Sequence, residues 1–596
     1  MTKNFRTRGG GLRPRVMLSM AIAGLVATTV PASPAQSAPD ADCPQAIRVS
    51  HVTKGMAVHG LTVSSGTVPD SFQGEVLGVL QDGIAPGLDM IMVKVSGSEV
   101  TDTNGNVDKG IWAGMSGSPV YTRNGRLVGA VAYGLSWSPS DVAGVTPGAE
   151  MQKLLDTQPG SPALKTAATT QKVPIPDGTA DRLVASGVMT TAQADSGFKR
   201  LPMPFSVSGL SNRHLQKAAD RFDIKHPMVV GGSTSAAATA TDIVPGGNLA
   251  ASLSYGDITY AGMGTATAVC GNEVLAFGHP MLWSGHSSLS MHGGDALYIQ
   301  KDTVFGSFKV ANPTAPVGQI FGDHLAGIHG IFNEFPKSTD VTSHVEATNG
   351  NSRNGETVVT YRPATPYLSA IHLLANADRV IDSIGGGTAT VRWTFDGTRA
   401  DGSPWTFTRS DRFASHRDIT FESVYESYQQ MSQILHNDFE RVQVTDVHYR
   451  ATYGPRFHGF EISRFEIKPG DHWVTITSRR ASKTVHAGTD LPIRLTLEPS
   501  DRNGDSKVVR LSVRIPKSAR GDEGVLFVEG GGGKQRSRVT SFDEMLGELA
   551  SAPRNDSVTA TLRTGSFEGG RGSRDSDNAV AGDVVSGEKY VYLTVR

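Results

Sequence analysis

Cysteine is nearly absent from this chain. Only Cys43 and Cys270 occur in 596 residues, which excludes a disulfide-dense scaffold and a metal site built on several thiolates. An excess of either charge is missing too. Fifty-six basic residues stand against 57 acidic ones, a net charge of -1, so no global field would steer the molecule to nucleic acid or to an anionic membrane. Beyond Val30 no apolar run approaches the roughly 20 residues that a membrane-spanning helix needs. Histidines at 279, 286 and 292 are separated by a glycine-rich stretch and match no usual zinc spacing. Neither a metal nor a cofactor is implied.

What is present is glycine, proline and many short Val/Ile/Thr runs, with 68 Gly, 31 Pro and 38 % hydrophobic residues. That composition fits a folded, mainly β protein rather than a helical or a disordered one. The length exceeds what one hydrophobic core usually serves, so three or more packed units are expected. At the N-terminus Lys3, Arg6, Arg8, Arg13 and Arg15 precede an apolar run from Val16 to Val30, followed by small residues through Ala38. Basic, apolar, then small is the order of a secretory signal peptide, here residues 1–38. The mature protein is therefore expected to be secreted or extracytoplasmic, with no stable membrane insertion after cleavage. In an oxidising compartment Cys43 and Cys270 either pair, pinning the new N-terminus to a distant unit, or remain two free thiols. Asp40-Ala41-Asp42 before Cys43 argues against a lipid-modified cysteine.

Residues 39–155 read as an antiparallel β half, with strands at Gly60–Val63, Glu75–Leu80, Met90–Val95 and Leu127–Tyr133. Residues 156–203, rich in Thr, Ala, Pro, Gln and Ser, read as a polar linker open to processing. A second β half is expected over 204–362, with a helix at Asn212–Phe222. A mixed connector over 363–443 holds the strand Ala389–Phe395 and a helix at Phe421–Val442, whose apolar residues recur at helical spacing. Residues 444–596 alternate as a β-sandwich would, with a short helix at Phe542–Ala550.

The residues that point to chemistry are Gly114-Met115-Ser116-Gly117-Ser118-Pro119. A serine hydroxyl becomes a nucleophile when a tight turn presents it to a base, with backbone N–H groups facing the developing oxyanion. Glycines on both sides of Ser116 permit such a turn, and the amides of Gly114 and Ser116 are the natural oxyanion donors. Asn124-Gly125 then signals a hairpin. Taken alone, the motif also reads as a glycine-rich turn carrying an ordinary serine.

Three further segments, Lys54-Gly55-Met56, Gly60–Val63 and Glu75–Val79, join this motif and Gly125–Val131 in resembling the serine-bearing part of the SpoIVB serine peptidase family. A second group of segments is similar to that family's histidine-bearing part: Gly264–Thr267, Val274-Leu-Ala-Phe-Gly-His-Pro280, Gly306–Lys309 and Gly327–Gly330. The resemblance spans about half of the chain. It implies a chymotrypsin-like double β-barrel, Ser116 as nucleophile, His279 as general base, and a protein or peptide substrate. Asp102 resembles the family's acidic residue, with Asp108 as the competing choice; Asp102-Thr-Asn-Gly105 also reads as a turn. His51 and His59 are reserve candidates for the base. In the family's founding member the histidine precedes the serine, whereas here His279 follows Ser116, so the two parts are permuted. Triads tolerate several chain orders. The expectation is a secreted serine endopeptidase of restricted specificity; the other reading is a non-catalytic secreted binding or scaffold protein that retains the barrel.

Overall fold

The computed structural model describes residues 43–135, 139–157, 172–203, 205–224, 228–230, 232, 239, 242–302, 306–477, 482–500, 504–532, 539–565 and 572–596. The expected signal peptide lies outside the described residues. Alternation decides the strands. Along Gly387–Arg399, for example, Ala389, Val391, Trp393 and Phe395 are buried while Thr390 and Arg392 face outward, the period-two pattern of a sheet with one covered face.

The protein is mainly β and opens with a double barrel. The first barrel comprises β1 (Ala57–Thr62), β2 (Asp70–Ala85), β3 (Leu88–Ser96), β4 (Pro119–Thr122), β5 (Leu127–Leu135) and β6 (Val142–Pro147). These strands pair antiparallel in the closed ring β1–β2–β3–β6–β5–β4. Val58, Val76, Val93, Val120 and Val131 fill its core. Asn124-Gly125 turns the β4–β5 hairpin, Gly125 taking φ +78.

Residues 172–203 correct the expectation of a loose linker. Strands β7 (Lys172–Val173) and β8 (Phe198–Arg200) flank helices Asp177–Ala185 and Thr191–Ser196, and β8 pairs antiparallel with the end of β5. Val173, Leu183, Met189 and Phe198 bury against Leu80, Ile84 and Met90 of the first barrel. A capping box at Thr190 and Gln193 starts the second helix. The polar composition belongs to the outer faces; a few well-spaced apolar residues anchor the segment.

After β9 (Phe205–Val207), helix Asn212–Arg221 and β10 (Met228–Val230), the second barrel forms from β11 (Asn248–Gly256), β12 (Tyr260–Cys270), β13 (Glu273–Ala276), β14 (Gly285–Gln300), β15 (Phe308–His324) and β16 (Gly327–Phe332). It closes as β11–β12–β13–β16–β15–β14, again antiparallel throughout. Cys43 and Cys270 form a disulfide, which ties the chain ahead of the first barrel to the end of β12.

Strand β18 (Ser352–Val359) continues from β11, and through β17 (Thr339–Ala347) the sheet reaches the strands Val442–Gly454, Gly387–Arg399 and Pro404–Ser415. Val442–Gly454 thus belongs to this layer, and the C-terminal sandwich starts near Gly459 rather than at 444. A helix at Thr365–Ile381 is buried on nearly every side, which is why amphipathic spacing did not reveal it. In the sandwich, Ile462, Phe465, Ile493, Leu495, Leu511, Leu526, Leu562 and Val591 form the shared core of two sheets. No helix among the described residues is long and apolar enough to cross a membrane.

Candidate functional site

Ser116 sits on a turn at the seam of the two barrels. Gly114 and Gly117 take φ +100 and +97, values that are costly for any residue with a Cβ. The turn is held from its own side by Met115 N–H donating to the Trp112 carbonyl and Gly117 N–H donating to the Val131 carbonyl. From the other side β12 clamps it. Thr265 N–H donates to the Ser116 carbonyl at 2.8 Å, Thr265 Oγ1 to Gly114 at 3.0 Å and Thr267 Oγ1 to Gly117 at 2.8 Å. A Cβ on Gly117 would lie 1.9 Å from the Thr265 carbonyl oxygen, so glycine is required for the barrels to meet.

His279 follows β13 through Phe277 and Gly278, both with positive φ (+69 and +68). The non-glycine Phe277 stores strain there. The turn is fixed by Thr146 Oγ1 of the first barrel, which donates to the Gly278 carbonyl at 2.5 Å. It brings His279 Nε2 to 2.9 Å from Ser116 Oγ, while His279 Nδ1 lies 2.9 Å from the Pro280 carbonyl oxygen. A carbonyl only accepts, so Nδ1 carries the proton and the Nε2 lone pair receives the Ser116 hydroxyl hydrogen. Burial, followed by the nearby Arg200 guanidinium, pushes the imidazole down to about 3, against the pull of the Pro280 carbonyl. At neutral pH the ring is an uncharged acceptor.

Neither the Gly114 nor the Ser116 N–H donates to a protein acceptor among the described residues. The site is closed: Ser116 and His279 are each 1 % exposed. Beside it runs β8, whose Arg200 Nη1 donates to the Pro280 carbonyl at 3.2 Å, followed by Leu201 N–H donating to the Ala132 carbonyl.

Asp102 is placed elsewhere, which corrects its expected role. It is exposed, and its carboxylate accepts from Asn104 N–H at 2.9 Å, Asn106 N–H at 2.8 Å and Asn106 Nδ2 at 3.2 Å. Those bonds, the Asn106 amide first, hold its carboxyl below the usual range. The turn chemistry of Asp-Thr-Asn-Gly has captured the side chain. Asp108 accepts from Lys301 Nζ at 2.6 Å. Of the reserve histidines, His51 is exposed on a short 3-10 turn and His59 lies on β1 beside Tyr121.

Two buried charged groups escaped the sequence reading. Asp323 on β15 is 0 % exposed and holds the chain just after His279. Lys309, also on β15, lies under the serine turn, its Nζ donating to Asn248 Oδ1 at 2.7 Å and standing 5.2 Å from the centre of the Trp112 ring. Burial pushes this amine down to about 7. Gly306–Lys309 was part of a recognisable segment, but nothing in it signalled the lysine's contacts; Asp323 falls in no motif. Comparison of the chain with protein-family models, curated proteins and solved structures returns no match.

Proposed function

We propose that the chain is a secreted serine endopeptidase of restricted specificity, similar to the SpoIVB serine peptidase family with its two parts in permuted order. The observation that carries the reading is the 2.9 Å contact between Ser116 Oγ and His279 Nε2, made across two barrels by residues of the tautomer and charge state that acyl transfer needs. Ser116 attacks the peptide carbonyl while His279 takes its proton at Nε2. The Gly114 and Ser116 amides stabilise the oxyanion. His279 returns the proton to the leaving amine, and water, activated by the same ring, releases the acyl group. No cofactor enters this scheme.

The closure of the site favours a second reading, a secreted scaffold or binding protein whose barrel pair is kept without turnover. Labelling with a fluorophosphonate probe and mapping of the modified peptide separates the two. The peptidase reading predicts a single adduct on Ser116, with labelling of Ser116→Ala reduced by at least about a thousandfold. Equal labelling of both proteins, or none of the wild type, overturns it.

A further inference from the structure

A Ser/His pair works best when a third group holds the imidazole's tautomer and favours its protonated form. Here His279 Nδ1–H meets no carboxylate; it donates to the carbonyl of Pro280 at 2.9 Å. The other end of that same peptide unit is the N–H of Met281, which donates to Asp323 Oδ1 at 2.7 Å. We infer that Asp323 is the positioning carboxylate of this site, acting on His279 through the Pro280–Met281 peptide instead of by contact.

A peptide that donates to an anion at one end is polarised, and its carbonyl becomes a stronger acceptor at the other. The negative charge is thereby felt at Nδ1. Asp323 also accepts at Oδ2 from Leu282 N–H at 2.7 Å, from Ser284 N–H at 3.3 Å and from Ser284 Oγ at 3.4 Å. These bonds fix the turn that follows the histidine, including Trp283 at φ +56. Both carboxylate oxygens receive N–H donors, so an asparagine would set its own NH2 against one of them.

The cost of this arrangement also points to a role. Asp323 is completely buried, and among the described residues no lysine or arginine forms an ion pair with it. Burial raises its carboxyl above the ordinary range, while the amides of Met281, Leu282 and Ser284 and the neighbouring His324 oppose that. A buried carboxylate with no cationic partner is expensive even when hydrogen-bonded, and a turn can be fixed more cheaply by a neutral side chain. The titratable and charged groups around the relay are His324 beside Asp323, Tyr361 reaching it from beyond β18, and Arg200 on the Pro280 carbonyl.

The inference rests on the Ser116/His279 reading, but its test has a readout independent of turnover. In the full chain with isotope-labelled histidine, assigned through a His279→Gln variant, the Nδ1–H resonance of His279 is compared in wild type, Asp323→Asn and Ser284→Ala. The relay predicts an upfield shift in Asp323→Asn and none in Ser284→Ala. Alongside it, Ser116 labelling should slow by about tenfold in Asp323→Asn, on the order of one pKa unit of lost His279 basicity. If Asp323→Asn does not fold, acid titration of wild type with labelled aspartate decides: the Asp323 carboxyl and the His279 Nδ1–H signals should move with one midpoint. An unchanged Nδ1–H resonance in folded Asp323→Asn, or separate midpoints in wild type, overturns the relay. Absence of wild-type labelling would instead sink the peptidase reading and leave the resonance comparison standing.

Discussion

Ser116 was legible because a tight turn leaves a local mark, the glycines at 114 and 117, both at positive φ, and His279 because Val274–Pro280 resembles a histidine-bearing segment of a known family. The carboxylate that holds the turn after His279 was not legible, since a carboxylate's use depends on what the fold brings to it. Asp102 sits among turn formers and satisfies its own loop, while Asp323 gains its contacts only once β15 lies beside residues 281–284. Burial also sets how histidines respond to acid. His372 is enclosed by Thr357 Oγ1 at 2.8 Å and Ser343 Oγ at 2.9 Å, and burial pushes it down from 6.5 to about 4. The unfolded chain takes up this proton near pH 6.5 and the native one only near 4, so stability falls with pH across that window. His372→Gln should flatten the slope of unfolding free energy there by about 1.4 kcal/mol per pH unit. Denaturant titrations at several pH values measure it; an unchanged slope contradicts the assignment.

At the scale of elements, strands announced themselves by alternation, and the helix expected over Phe421–Val442 by its spacing; it forms over Tyr425–Leu435, and Val442 already opens a strand. The helix Thr365–Ile381 did not, because a helix covered on nearly every side loses the polar stripe that marks it. Segment 172–203 hid behind a polar composition, yet its β8 adds to the edge of β5 and carries Arg200 to the Pro280 carbonyl. This guanidinium disfavours the imidazolium of His279. Arg200→Ala therefore should raise the basicity of His279 and loosen the strand beside the closed site, speeding fluorophosphonate labelling of Ser116 by about tenfold, on the order of one pKa unit. Slower labelling by a folded Arg200→Ala protein would contradict this role for β8.

For the whole molecule, the mainly β class and the sandwich could be read from alternation and turns repeated many times, whereas the double barrel was an expectation of the resemblance and not of the pattern. The pairing of Cys43 with Cys270 could not, since it depends on where two distant segments end. The same is true of the meeting of the barrels, on which the proposed function turns. Thr146 of the first barrel holds Gly278 of the second, and Thr265 and Thr267 of the second hold the serine turn of the first. The most direct measurement is a double-mutant cycle on the rate of peptide hydrolysis or of acylation by an activated ester, using Ser116→Ala, His279→Ala and the double variant. Residues acting as one unit lose their contribution together, so the double variant should be no slower than the worse single one. Losses that simply multiply would show two groups working apart, and the account of a shared site would be wrong.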